Sequence, residues 1–450
     1  MTKKPTYTSG KVSEVLLKNS IPMVFGIGAA IAFSFIDTVF VAKLGVDQLA
    51  AITFTFPVVF LVFGVAMGLG QGASAVISKA YGEGDHDMVK RLTTDSIVLS
   101  LIAVAIFTSL GIIFFEEIFS VLGATQKLMP YISEYMMIWF SGIIFLVVPL
   151  IGNSAIRAIG DTKTPSMIMM IAVLVNLVLD PLLIFGYGIF PQMGMAGAAT
   201  ATLVARFVTL IASFYFLTKK YDLLDFDLKH IARCGQSWKK ILEVGLPSAL
   251  TNILIPIGIS IIIKFVSDFG TEAVAAFGAA SRVEMVTLAV FMALASVVGP
   301  FIGQNWGAKK PERIIQALKN AYQFAILWGI AMIALFYLGG QMIAEFIKDD
   351  PKVVEYMVMY FRISSLAIAF RGIIMMTSTS FNVLGKPKVS AFLSISQMFF
   401  IFIPLAIYMS NIFGIEGIFT AALVSAVIVS IISYFWLEKH LQQKFLETST

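Results

Sequence analysis

Charge is scarce in this chain. Of its 450 residues only 13% are Asp, Glu, Lys or Arg, while 58% are hydrophobic. No water-soluble domain has that balance, so the chain reads as a helical protein that crosses a membrane many times. Cysteine occurs once, at Cys234, which excludes an intramolecular disulfide. The three histidines, His86, His230 and His440, fall in polar connections, so no imidazole cluster stands at membrane depth to hold a metal or move a proton. No clustered nucleophiles or metal ligands mark a membrane enzyme, and no filter motif marks a channel. The excess of basic residues needs no nucleic acid to explain it, because Lys and Arg gather in the connecting loops. The first apolar run is too long and too uncapped for a cleaved signal peptide.

What is present is a series of twelve apolar runs, each near the length of about 20 residues that a bilayer requires. Span 1 is expected at Ile21–Lys43, span 4 at Leu128–Ile151, span 5 at Pro165–Tyr187 and span 6 at Met193–Leu217, and the last at Ile415–Leu437. Of the 32 Lys and Arg residues, 23 fall on the side of the N-terminus and 5 on the other. Four, Arg206, Arg282, Arg362 and Arg371, fall inside spans. This bias predicts that both termini are cytoplasmic.

The chain repeats itself. A shift of 225 places Pro22 on Pro247, Gly45 on Gly270, Gly82 on Gly307 and Gly160 on Gly385. A shift of 220 places GMAG (Gly194–Gly197) on GIEG (Gly414–Gly417). The expected fold is therefore all-α: twelve transmembrane helices in two pseudo-symmetric six-helix bundles. Residues 1–220 form one lobe, 221–240 a charged cytoplasmic linker and 241–450 the second lobe. Parallel repeats of this kind are a transporter architecture.

One carboxylate organises the first half. Asp37 interrupts span 1, and a charge at that depth costs roughly 2.5–3.5 kcal/mol on insertion scales, so it needs a cavity, an ion or a partner. At the helical rise it lies about 9 Å below the outer end of its span, and Asp180 in span 5 lies about 10 Å below its own. Thr200 and Thr202 in span 6 share that layer. Asn176 and Asp180, four residues apart, point from one helix face. Pro181 has no N–H for the carbonyl of Leu177. The set is rich in hard oxygen and suits Na⁺. It also suits a proton, which relieves repulsion between two desolvated carboxylates. The second half has Ile262 and Leu405 at the equivalent positions. It carries Arg282, Glu284 and Arg362 at one depth and Arg371 deeper, expected as a charge network fixing that lobe. A substrate-anion site is the other reading of these four.

These motifs resemble the multidrug and toxic compound extrusion (MATE) family. The resemblance rests on IDTVFVAKLGVDQLAA from Ile36, on the paired loops GQGASAVISKAYGEGD and GPFIGQNWGAKKPE, and on NxxxDP at Asn176–Pro181. It implies two six-helix bundles in a V that alternates between outward- and inward-facing states. It also implies export of cationic amphipathic compounds in exchange for Na⁺ or H⁺, with no other cofactor. The family's coupling residues match Asp37, Asn176 and Asp180, with a hydroxyl at Thr200 or Thr202, and its bending proline matches Pro22. The absence of a central acid on spans 7 and 10 favours the DinF-like branch. A monomer in a bacterial or archaeal plasma membrane is expected, with the lipid bilayer and organic cations as partners. The alternative is a flippase for lipid-linked precursors, from the wider exporter superfamily.

Overall fold

The computed structural model describes residues 6–227 and 234–449. Within a bilayer every backbone N–H and C=O must be satisfied inside the segment, so the apolar runs fold as helices. Among the described residues eleven helices are long and apolar enough to cross a membrane. A bent pair, α5 (Met129–Ser141) and α6 (Ile143–Ala158), can make the twelfth.

That pair corrects the expected straight span at Leu128–Ile151. The chain turns by 48° at Gly142. A Cβ added there would lie 1.8 Å from Leu203 Cδ1, so the Leu203 side chain would have to turn aside for any larger residue. The other ends also move. The first helix, α1, runs Val12–Ala42, and Pro22 therefore sits in its interior, not near its end. Without an N–H at Pro22, the carbonyl of Lys18 has no helical partner.

Two compact units divide the chain. The first holds Ile21–Ala249. It comprises the rest of α1, then α2 (Val46–Glu83), α3 (His86–Ile113), the short α4 (Phe115–Val121), α5 and α6. Next come α7 (Lys163–Phe185), α8 (Gly194–Tyr215) and the first turns of α9 (Cys234–Ser267). Its core runs through α2, α3, α5 and α6, with Ile77, Ile132, Met136, Ile151 and Ile156 fully buried. Gly68 and Gly72 on α2 admit the start of α9. Added Cβ atoms there would meet Ala249 N and Ile241 O, each at 2.4 Å. Small residues spaced by four are how membrane helices approach backbone to backbone.

The expected linker is partly structured on this unit. Lys90 Nζ pairs with Asp222 at 2.5 Å, and Asp225 N donates to Thr94 Oγ1 at 2.8 Å. Tyr221 donates its hydroxyl to Asp161 in the turn before α7. Asp161 also accepts from Lys163 N at 2.8 Å and from Thr164 Oγ1 at 2.7 Å, so it ties the start of α7 to the end of the first repeat. Residues 228–233 lie outside the described residues.

The second unit holds Tyr7–Ser20 and Leu250–Thr450. It is built from α10 (Thr271–Gly307), α11 (Pro311–Ile347) and α12 (Pro351–Val383), with α12 packed on both of the others. The next span is α13 (Pro387–Ile395), a π-helical stretch at Ser396–Phe402 and α14 (Ile403–Phe413); α15 (Ile415–Ser449) closes the unit. The N-terminal tail straps across the junction of α10 and α11. Tyr7 N donates to Gln304 Oε1 at 2.7 Å, and Arg313 donates to the carbonyls of Tyr7, Ser9 and Gly10 at 2.9, 3.1 and 2.7 Å.

The repeat persists in backbone conformation. Gly45 and Gly270, 225 apart, precede α2 and α10 with φ of 144° and 102°. The GxxG motifs repeat a close approach too. Added Cβ atoms would lie 2.5 Å from the Leu183 carbonyl oxygen at Gly197, and 2.2 Å from the Met409 carbonyl oxygen at Gly417.

Candidate functional site

The site in the first unit is made of helical pairs one turn apart, each presenting two side chains from one face. On α7, Asn176 and Asp180 are both buried, and Asn176 Nδ2 donates to Asp180 Oδ1 at 2.6 Å. On α8, Thr202 Oγ1 donates to Asn176 Oδ1 at 3.5 Å, a long bond that agrees with the amide orientation set by Asp180. With its amide so committed, Asn176 can give Asp180 a donor on one oxygen only.

Asp37 reaches this group from α1. The two carboxylates stand within hydrogen-bonding reach of one another, which a shared proton would complete. Asp37 Oδ1 and Asp180 Oδ2 are buried and have no hydrogen-bond partner. Orphaned carboxylate oxygens are costly in a dry site unless a cation or proton satisfies them. The donor set of two carboxylates, one amide oxygen and one hydroxyl fits a hard monovalent cation. Among the described residues no three of His, Cys, Asp and Glu gather as they would around a transition metal.

The structure brings Asp37, Asn176, Asp180 and Thr202 together. It does not bring in Thr200, which is half-buried and makes no hydrogen bond to the cluster. Residues 200 and 202 differ by about 200° around a helix, so only one of them can face α7.

Three further residues complete the site. Tyr135 on α5 is buried within charge-interaction range of Asp37, Asp180 and Arg206. One turn along α5, Trp139 is buried under the Arg206 guanidinium, 5.6 Å from ring centroid to carbon. Arg206, one turn beyond Thr202 on α8, lies within range of Asp37. Sequence reading placed Arg206 inside a span, but gave no sign of Tyr135 or Trp139. Their only signal was their spacing of four, which ordinary packing residues share.

In the second unit the expected network of four charges contracts. Arg371 Nη1 meets Glu284 Oε2 at 2.6 Å, and Tyr360 donates its hydroxyl to the same oxygen at 2.7 Å. Glu284 Oε1 is buried without a hydrogen-bond partner. Arg282 and Arg362 are exposed instead. Helix phase gives the reason. Tyr360 and Arg371 are eleven residues apart, about three full turns, and share a face of α12. Arg362 is nine from Arg371 and so points the opposite way. Arg282 is two residues from Glu284 and points to another side of α10.

Comparison with known proteins agrees with this architecture. The MatE family model matches residues 22–182 and 247–408, and the two segments begin on the repeated prolines. A protein of Shewanella oneidensis described as a FAD transporter is 36% identical over 427 residues, covering 95% of this chain and 94% of its own. The multidrug export protein MepA of Staphylococcus haemolyticus is 23% identical over 433 residues, covering 95% and 94%. Among solved structures, the Vibrio cholerae MATE transporter VcmN in its bent form matches with a TM-score of 0.91 at 28% identity, over 97% of this chain and 98% of that one. A Pyrococcus furiosus transporter of the MOP superfamily, described as having a binding pocket of reverse polarity that suggests a different function, matches with a TM-score of 0.90 at 25% identity, over 98% of this chain and 99% of that one. Both halves of the chain, its helices and its repeat thus carry one assignment: the chain belongs to the MatE family, the multidrug and toxic compound extrusion proteins, and is a multi-pass membrane transporter and not an enzyme.

Proposed function

We propose that the chain is a cation-coupled antiporter that exports organic amphipathic compounds by alternating access, with Na⁺ or a proton bound at Asp37, Asp180, Asn176 and Thr202. The observation that supports this most directly is the pair of orphaned carboxylate oxygens on α1 and α7. Two carboxylates held together in a dry site repel, and a bound cation or proton relieves that repulsion. Cation entry draws α1 towards α7. Pro22 leaves α1 a weak point for that movement, since a proline in a helix interior permits a kink. The coupling is reciprocal: a cation that lowers substrate affinity is bound less tightly, by the same factor, when substrate is present. The basic bias of the loops favours both termini in the cytoplasm, so cations enter from outside and substrates leave to the outside.

Organic cations are the first substrate class, chosen within the multidrug export that relatives such as MepA are described as carrying out. A flavin dinucleotide is a second reading, favoured by the relative described as a FAD transporter. The purified protein in liposomes, given an inward Na⁺ or proton gradient, tests both with ethidium and FAD. Uphill movement of ethidium alone supports the first reading and of FAD alone the second. A lipid flippase, the remaining alternative, moves neither. Failure of every gradient to drive either compound rejects the antiporter reading.

A further inference from the structure

Resting on that coupling reading, we propose that Arg206 is a built-in counter-cation that limits the carboxylate pair to one exchangeable monovalent cation per cycle. Three i, i+4 pairs define the place. Asn176 and Asp180 on α7 face Thr202 on α8, and Arg206 follows Thr202 by one turn. Tyr135 and Trp139 stand on α5, with Trp139 beneath the guanidinium. The guanidinium is therefore held by an aromatic face, within charge-interaction range of Asp37 but outside the hydrogen-bonded set of the carboxylates. Cation–π seating suits this role, because it anchors the charge without using the oxygens that a mobile ion needs.

Charge counting gives the consequence. With both carboxylates ionised, Asp37, Asp180 and Arg206 sum to one net negative charge. The charged and titratable groups that interact with the pair are Arg206 from α8, which acts on Asp37, and Tyr135 from α5, which faces both carboxylates. One Na⁺ or one proton then neutralises the site. Without Arg206 the site carries two negative charges and accepts two monovalent cations. Arginine suits this position better than lysine by its flat face for stacking, but either supplies the charge.

The test is equilibrium ²²Na⁺ binding to the full-length protein in detergent at pH 8, with Arg206→Gln, Arg206→Lys, Trp139→Leu and Asp37→Asn alongside wild type. One Na⁺ per wild-type chain is expected. Arg206→Gln should bind two, or one with affinity raised at least about tenfold, since a full positive charge that acts on Asp37 is removed from a poorly screened site. Arg206→Lys should behave as wild type, which a purely structural role would not predict. Trp139→Leu, which frees the guanidinium while keeping it, should raise Na⁺ affinity less than Arg206→Gln and leave the count at one. It also decides the matter if Arg206→Gln fails to fold: an unchanged affinity in Trp139→Leu then overturns the proposal. Unchanged count and affinity in a folded Arg206→Gln overturn it as well. Equal binding by wild type and Asp37→Asn, or a wild type that neither binds Na⁺ nor takes up a proton at the pair as pH falls from 8 to 6, instead overturns the coupling reading and this proposal with it.

Discussion

Tyr360 and Arg371 converge on a single oxygen of Glu284, at 2.7 and 2.6 Å. The second unit pairs this acid directly with an arginine, although Glu284 Oε1 has no hydrogen bond; the first sets two acids against one arginine. Arg371→Met would leave a buried carboxylate without its cation, and breaking such a pair costs about 3–5 kcal/mol. Thermal unfolding in detergent should show a lowered midpoint for Arg371→Met. Adding Glu284→Gln should recover most of the loss. The double variant should keep the wild-type cation dependence of transport. If that dependence vanishes, the second unit carries a coupling site of its own.

Asp37→Asn keeps the shape of its side chain and removes its charge. Insertion and folding should be normal, while uphill transport falls to the background of empty liposomes. Binding of a fluorescent substrate should lose its dependence on Na⁺ and pH. Transport at the wild-type rate would exclude Asp37 from coupling.

The cytoplasmic tie at Asp161 should be sensitive to acid. Burial works to raise the Asp161 carboxyl, but the hydrogen bonds from Tyr221 and Thr164 and the Lys220 ammonium, 3.7 Å away, together outweigh it and hold the group below the usual carboxylate range. A depressed carboxyl stabilises the fold above its unfolded value, about 3.9, and that stability is lost as pH falls through the folded value. Tyr221→Phe should therefore lower the unfolding midpoint at pH 7 by the equivalent of about 1.5–3 kcal/mol, typical of a hydrogen bond to a charged group. The difference from wild type should shrink towards pH 3. A difference that stays constant with pH would show that the carboxylate's charge is not involved.

Arg313 holds three tail carbonyls at once. Arg313→Ala should release the strap, and hydrogen exchange at Tyr7–Gly10 should rise at least about tenfold while exchange in α10 and α11 stays slow. Uniform acceleration across α10 and α11 would mean that the arginine supports the helices and not the strap.

Much of this was readable in advance, for identifiable reasons. Asp37 and Asp180 announced themselves because a carboxylate in an apolar run has no cheap alternative to a site. Asn176 followed from its place one turn before Asp180. The turn at Gly142 did not show, because glycine within a membrane helix is ordinary and its meaning lies in Leu203, sixty residues away. Arg282 and Arg362 looked like partners of Glu284 because depth along a span is easily counted. Direction around the helix was the missing quantity, and it places them elsewhere. Tyr135 and Trp139 were invisible because aromatic residues are abundant throughout and nothing local marks these two.

The boundaries of the two units carry a consequence for how such a chain is assembled. Residues 7–20, from the first repeat, complete the second unit, and the start of α9, from the second repeat, completes the first. Under the 225-residue shift these are nearly the same stretch, since residues 234–249 align with 9–24. The two repeats have exchanged equivalent arms, as domain-swapped dimers do. A half-chain cut at the linker is left with an unfilled groove along Gly68 and Gly72, and the piece that fills it belongs to the other half. A single unduplicated repeat would carry both the arm and the groove, and two copies would close on one another by reciprocal exchange.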